Sequence, residues 1–255
     1  IPESGRLAKG QAVINLINID QGEKIQSILV LPSETINNQE LAISNYIMLF
    51  TKKGEVKKTT LSEFANIRQN GIIAIRMEPD DQLIKAQLTD GQNEVLIISS
   101  HGKGIRFKES NVRPMGRPAK GVRGILLKPQ NWVVTAETIA KRENPTDKRV
   151  RAFCQVLGIT EKGIGKRTPV ADFPMQKRGG VGVKAARISP KTGLIICARL
   201  VDETIDQAVI TSKKAQVIRL PLKNIKTLGR NTQGVILMRF TDKSDSGAAV
   251  TCLKK

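Results

Sequence analysis

The heptapeptide GRNTQGV occupies Gly229 to Val235, and its reading decides the fold. Two glycines five apart, with Arg230 directly behind the first, have the spacing of the phosphate loop of nucleotide hydrolases, G-x-x-x-x-G-K-[ST]. In such a loop Lys and Ser/Thr follow at once and reach the phosphates and magnesium; here Val235 follows. The phrase is also repeated. GRPAKGV runs from Gly116 to Val122, GRLAKGQ from Gly5 to Gln11, KRGGVGV from Lys177 to Val183, and the shorter RQNGI from Arg68 to Ile72. The second glycines fall at 10, 71, 121, 182 and 234, and the residues after them are Gln11, Ile72, Val122, Val183 and Val235. None of these binds a phosphate or a metal, so the nucleotide reading is set aside. What recurs instead is an arginine three or four residues before each glycine: Arg6, Arg68, Arg117, Arg178 and Arg230.

A second phrase marks the other half of the repeat, a polar turn followed by a strand that carries a base. Its copies are TKKGEVKK (51–58), SSHGKGIR (99–106), TEKGIGKR (160–167) and SKKAQVIR (212–219), ending on Lys58, Arg106, Arg167 and Arg219. From the first residue of each turn to the next loop glycine is 20, 22, 22 and 22 residues; from glycine to the following turn is 41, 28, 39 and 30. One half is nearly fixed and the other absorbs polar insertions, around 32–40 and 136–148, which read as surface loops. A period near 50 residues is the signature of a repeat architecture such as propeller blades. YIMLFT, VLIISS and QAVITS lead into the turns; VKKTTL and GIRFK alternate as half-buried strands; LIKAQLT, WVVTAET, LIICARLV and AAVTCL close each unit. TLSEFANIR has room for one helical turn. The expectation is an all-β pinwheel, propeller-like, with about four strands per blade. Four complete repeats span about 41–90, 91–148, 149–203 and 204–255, after a partial one at 1–40.

Composition narrows the function. The 255 residues hold 42 Lys and Arg against 23 Asp and Glu, a net charge of +19, with only 3% aromatics. Such a surface attracts polyanions. Stacking platforms for single strands need interleaved aromatics, so the duplex phosphate backbone suits it better. No apolar run approaches the length of a membrane span. The polar N-terminus, IPESGRLAKG, has no signal-peptide character and no starting methionine, and reads as part of a longer polypeptide. Cys154, Cys197 and Cys252 are far apart and read as reduced, buried thiols of a cytosolic protein. His101 is the single histidine and has no metal-ligand neighbour at useful spacing. No metal and no cofactor are expected.

GRNTQGVILMR, KKTTLSEFANIR, GIRFKESNVRPMGRPAKGVRGI and GKRTPVADFPMQKRGGVGVKAARI together resemble the C-terminal domain of the DNA gyrase A subunit. The corresponding domain of the topoisomerase IV C subunit is the near relative. The resemblance spans nearly the whole chain. It implies a β-pinwheel whose basic rim binds and bends duplex DNA, supporting ATP-dependent negative supercoiling by an enzyme whose cleaving tyrosine and ATP site lie elsewhere. It implies the gyrase B subunit and a second copy of the A subunit as partners in the parent enzyme, and a cytoplasmic, nucleoid-associated location. The family's domain usually has six blades, and this chain begins inside the second. The family's heptapeptide Q-[KR]-R-G-G-[KR]-G is echoed by QKRGGVG, that is Gln176, Lys177, Arg178, Gly179, Gly180, Val181 and Gly182, with Val181 where a base is expected. Tyr46, in an apolar strand, reads as a core tyrosine.

Within this frame the loops are expected to touch phosphates through Arg6, Lys9, Arg68, Arg117, Lys120, Arg123, Lys177, Arg178, Lys184 and Arg230. Glycine-rich turns would leave N–H groups open to anions and the bases would add charge-assisted hydrogen bonds. Lys58, Arg106, Arg167 and Arg219 are secondary candidates; pairing with acids such as Glu109 or Asp172 is the competing role for them. For the loop arginines it is a blade-to-blade hydrogen bond. Two other functions compete with duplex binding: the topoisomerase IV role, and a propeller-like scaffold for acidic proteins.

Overall fold

The structure is a computed structural model that describes residues 9, 10, 12, 15, 17, 22–29, 31, 45–66, 71–140, 154–242 and 244–254. Fifteen strands are present among them. Each repeat supplies a tight hairpin and a returning third strand: β1 (Tyr46–Thr51), β2 (Glu55–Thr60) and β3 (Leu83–Thr89); β4 (Glu94–Ser99), β5 (Lys103–Lys108) and β7 (Val133–Ile139); β8 (Gln155–Thr160), β9 (Ile164–Pro169) and β11 (Ile195–Val201); β12 (Ile205–Ser212), β13 (Val217–Pro221) and β15 (Gly247–Lys254). Three two-residue strands complete the set: β6 (Val122–Arg123), β10 (Val183–Lys184) and β14 (Val235–Ile236).

The sheets do not coincide with the sequence repeats. Their orders are β3-β1-β2-β6, β10-β5-β4-β7 and β11-β8-β9-β14, then a three-stranded β13-β12-β15. Every four-stranded sheet borrows its fourth strand from the repeat that follows. Val122 and Arg123 pair with Val56 and Glu55, Val183 and Lys184 with Gly104 and Lys103, Val235 and Ile236 with Gly165 and Ile164. The apolar runs GVRGILL and VILMRF therefore contribute two ladder residues each, to a neighbour's sheet rather than their own. All pairings are antiparallel.

The middle strands β1, β4 and β8 are buried along most of their length because both faces carry a core, and so they read as continuous aliphatic runs rather than alternating ones. Val95 and Ile97 of β4 face Met48, Phe50 and Val56 of the sheet before. Leu96 and Ile98 face Val156, Phe173 and Ala198 of the sheet after. Leu157 and Ile159 then meet Ala208, Ile210 and Val250. The period-two geometry of a strand thus divides each blade's apolar residues between two interfaces. Each such side chain stabilises by about 1.5–3 kcal/mol on full burial, so most of the cohesion lies between blades. The returning strands β3, β7, β11 and β15 pack successively against one another. The borrowed strands lie at the opposite edge of each sheet, the outer one.

After the second strand of each repeat comes one turn of 3-10 helix: Leu61–Phe64, Glu109–Asn111, Val170–Asp172 and Leu222–Asn224. The first lies in the stretch expected to hold a helical turn. Leu29 and Leu31 pack on Ile47, Leu49 and Leu61, so the partial N-terminal repeat covers the free face of β1. Residues 32–40 and 141–148, most of the two insertions, lie outside the described residues. Among the described residues no helix is long and apolar enough to cross a membrane.

Candidate nucleic-acid interface

The loops of Gly121, Gly182 and Gly234 each follow a 3-10 turn and dock on the preceding blade. Pro114, Met175 and Thr227 bridge in parallel to Lys58, Arg106 and Arg167. This fixes a common register in which Arg117, Arg178 and Arg230 are equivalent, as are Gly121, Gly182 and Gly234. A Cβ on Gly182 would stand 2.5 Å from the carbonyl oxygen of Gly104, and one on Gly234 would stand 2.7 Å from that of Gly165. The loop glycines are required because the borrowed strand closes on its host backbone. Much of the expected open N–H surface is also used internally. Ala119 N–H donates to Gly116 O at 3.1 Å, Thr232 N–H to Gly229 O at 3.3 Å and Gly179 N–H to Gly124 O at 2.7 Å. A two-residue strand follows the Gly121, Gly182 and Gly234 loops, not the helix that a nucleotide-binding loop needs.

Consecutive loops are joined. Arg76 N–H donates to Ala119 O at 3.3 Å, Leu126 N–H to Gly180 O at 2.9 Å, and Arg187 N–H to Thr232 O at 3.1 Å. They form one hydrogen-bonded series along the outer edge of the blades. Along it lie the exposed bases Arg123, Lys177 and Lys184, with Lys120 bonded to Glu78 at 2.6 Å and near Glu55 at 3.4 Å. Five further exposed bases belong to the same stretches and were not among the expected contacts: Arg76, Arg113, Arg187, Lys226 and Arg239. Three of them, Arg76, Arg187 and Arg239, fall five residues after a loop glycine, a spacing visible in the sequence once the loops are aligned. Lys9 is exposed; Arg6 and Arg68 lie outside the described residues.

Two of the loop arginines make internal bonds. Arg178 donates through Nη1 to Arg123 O at 3.0 Å and through Nε to Asn111 O at 2.9 Å. Arg230 repeats the first bond, Nη1 to Lys184 O at 2.8 Å, with its guanidinium 5.9 Å from the Phe173 ring. Both staple one loop to the borrowed strand before it. In Arg117 the half-buried guanidinium leaves Nε without a hydrogen-bond partner among the described residues.

Under two of the loops lies a buried lysine to which the repeat pattern drew no attention. Lys57 donates to Ala74 O at 2.8 Å and to Arg117 O. Lys166 donates to Gly229 O at 2.7 Å, Arg230 O at 2.8 Å and Thr232 Oγ1 at 3.2 Å. Burial pushes the Lys166 ammonium down to about 8, assisted by the Arg230 charge, and burial lowers Lys57 too. The matching position under the box-like loop Gln176–Gly182 is Ile105, which is fully buried. Gln176 N–H donates to Arg106 O at 2.8 Å.

The bases at the end of the second strands grip the 3-10 turn of the next repeat. Lys58 Nζ lies 3.7 Å from Glu109 Oε1 and 4.9 Å from the Tyr46 ring centroid, deep in the interface. Burial raises the Glu109 carboxyl despite the Thr89 hydroxyl and the Lys58 charge beside it. Arg106 binds Glu94 and donates Nη1 to Val170 O and Phe173 O, both at 3.2 Å; Arg167 Nε donates to Ile225 O at 2.7 Å. Arg219, in the last sheet, is exposed and binds Gln207. Cys197 is buried, Cys154 and Cys252 are half-buried, and none of the three is in a disulfide. Among the described residues no cluster of His, Cys, Asp or Glu is arranged to hold a metal.

A family model described as DNA gyrase C-terminal domain, beta-propeller, matches residues 1–32, 45–90, 93–140, 155–201 and 206–250. The DNA gyrase A subunit of Staphylococcus aureus (strain NCTC 8325 / PS 47) is 38% identical over 242 residues, covering 95% of this chain and 26% of that protein. The chain therefore spans about a quarter of the length of the curated relatives it matches. A crystal structure of the C-terminal domain of DNA topoisomerase IV superposes with a TM-score of 0.82 at 23% identity, covering 96% of this chain and 71% of that one. A structure of the DNA gyrase A C-terminal domain gives 0.75 at 24% identity, covering 96% and 75%.

Proposed function

The chain belongs to the DNA gyrase C-terminal domain family, and from that premise we propose that it binds duplex DNA along the outer loop series and bends it. The observation that supports this reading is the hydrogen-bonded succession of loops that present outward bases, with Arg178 and Arg230 used internally in two of them. Backbone contacts of this kind hold DNA without reading its sequence, and bendable sequences are favoured over stiff ones. One exposed ionic contact contributes at most about 1 kcal/mol, whereas bending 20–30 base pairs costs on the order of 1–6 kcal/mol. A single loop cannot offset that; a series can.

In the whole enzyme this domain would present a bent DNA segment to a cleavage core formed with a second gyrase A polypeptide and with gyrase B. Strand cleavage and ATP hydrolysis would lie outside these residues, in a cytoplasmic, nucleoid-associated enzyme. The test is a salt titration of duplex binding with end-labelled DNA that reports bending by energy transfer. About eight neutralised phosphates give a slope of log K against log salt near −7. A slope near zero, or binding with no change in DNA end-to-end distance, overturns the proposal.

A further inference from the structure

The outer loops are not only basic. Six of the eleven exposed large apolar side chains among the described residues lie on them: Ile73, Met77, Leu126, Met175, Val181 and Ile236. Their positions are not random within the repeat. Two residues after the loop glycine stand Ile73, Arg123, Lys184 and Ile236, all exposed, with Ile73 at 68% and Ile236 at 54%. The same outward place is basic in the two middle loops and aliphatic in the two flanking ones. Five residues after the glycine stand Arg76, Leu126, Arg187 and Arg239, the complement of the first place in three loops and a second base in the Gly182 loop. One residue before it, Val181 takes the place of Lys120. Each loop thus sets an uncovered aliphatic side chain beside a base. Leu126 N–H donates to Gly180 O at 2.9 Å, which sets Leu126 beside the stretch carrying Val181.

Scattered apolar residues on a surface need no explanation. Aliphatic side chains that exchange with bases at matched outward positions do, because whatever covers the bases also covers them. The ligand must therefore offer anionic rows with an apolar strip between them. Duplex DNA does so across its minor groove, about 6 Å wide, where phosphate rows flank deoxyribose edges; apolar side chains entering that groove also promote bending. Resting on the DNA-binding reading above, we infer that Ile73, Leu126, Val181 and Ile236 seat in the minor groove of the bent duplex. Part of the affinity is then independent of salt, and the contact discriminates against the guanine 2-amino group that protrudes into that groove.

The test compares the full chain with a variant carrying Ile73→Ser, Leu126→Ser, Val181→Ser and Ile236→Ser. A control carries Ile28→Ser and Val217→Ser, exposed apolar positions elsewhere. Thermal unfolding first establishes that all three are equally folded. Binding is then measured over a salt series to guanosine–cytidine and inosine–cytidine duplexes, which share a helix but differ by that amino group. The four-site variant is expected to keep the salt slope, lose about tenfold in affinity at every salt and lose the preference for inosine–cytidine DNA. The control is expected to match the parent. If the parent binds and the four-site variant binds identically, the inference fails while the DNA-binding reading stands. A changed slope, or a control as impaired as the variant, also overturns it. Absence of binding by the parent itself removes the DNA-binding reading on which the inference rests.

Discussion

Arginines at two different loop positions are used differently in this chain, and the difference is measurable. Arg178 and Arg230 each bond a carbonyl of the preceding borrowed strand. Replacing either with alanine is expected to cost about 1.5–3 kcal/mol, the range for charged hydrogen bonds, seen as a lower Tm at a similar DNA salt slope. Arg123→Ala removes an outward side chain whose backbone remains, and is expected to leave unfolding stability within about 0.5 kcal/mol of the parent while the salt slope falls by about 0.9. Lys166 supplies a pH signature. Its folded pKa, about 8, lies below the ordinary lysine value of 10.5. Between these values the unfolded chain binds more protons at this site, so its contribution to stability rises with pH there and is flat below. The stability of the parent relative to Lys166→Met, followed from pH 7 to 10, should rise above about pH 8; a flat difference would show that burial does not depress the group. In the sequence the bases stood out as bases, but nothing in it separated a staple from an outward side chain. That division depends on which carbonyl lies within about 3 Å, the reach of a hydrogen bond, which only the docking of consecutive repeats decides.

At the scale of the element, the hairpin turns carry the record of strand exchange. Gly54, Gly102 and Gly163 occupy the same turn position with φ of 89°, 71° and 70°. A Cβ there would meet the entering chain: 2.7 Å from Ala186 O at Gly102, 2.3 Å from Met238 O at Gly163. The fourth turn has Ala215 instead, exposed and with φ of 63°, and β13 beside it has no fourth strand among the described residues. The comparison separates backbone strain from collision. Gly163→Ala is expected to cost about 2–4 kcal/mol, since it adds a collision to a strained φ. Ala215→Gly should change stability by less than about 1 kcal/mol, because relief of φ strain is offset by unfolded-chain entropy. Urea unfolding of both variants checks this. The long strands were legible in sequence because each has enough residues to show either an alternation or a continuous aliphatic run. The two-residue strands were not, since a strand that short is defined by its host. The 3-10 turn at Leu61–Phe64 was anticipated; the other three, which are three residues each, carried no signal.

At the scale of the molecule, each core belongs to two blades, so the blades should not melt independently. Gly163→Ala is expected to lower amide protection in β4 and β12 as well as in β8 and β9, as measured by native-state hydrogen exchange, because Leu157 and Ile159 pack on one neighbour and Val156 on the other. Loss confined to β8 and β9 would mean that the blades are separate cooperative units. The period, the all-β class and the basic outer loops were readable from spacing and charge alone. The offset between repeat and sheet was not, because lending a strand forward or backward leaves the same spacing.

Lending also constrains how such a chain can lengthen. A duplicated unit inserted upstream of the last hairpin finds glycine waiting in the turn it must enter and offers glycine to the unit behind it, so the array can grow from within. Appended after Ala215, the same unit would meet a methyl group where the other three turns leave room.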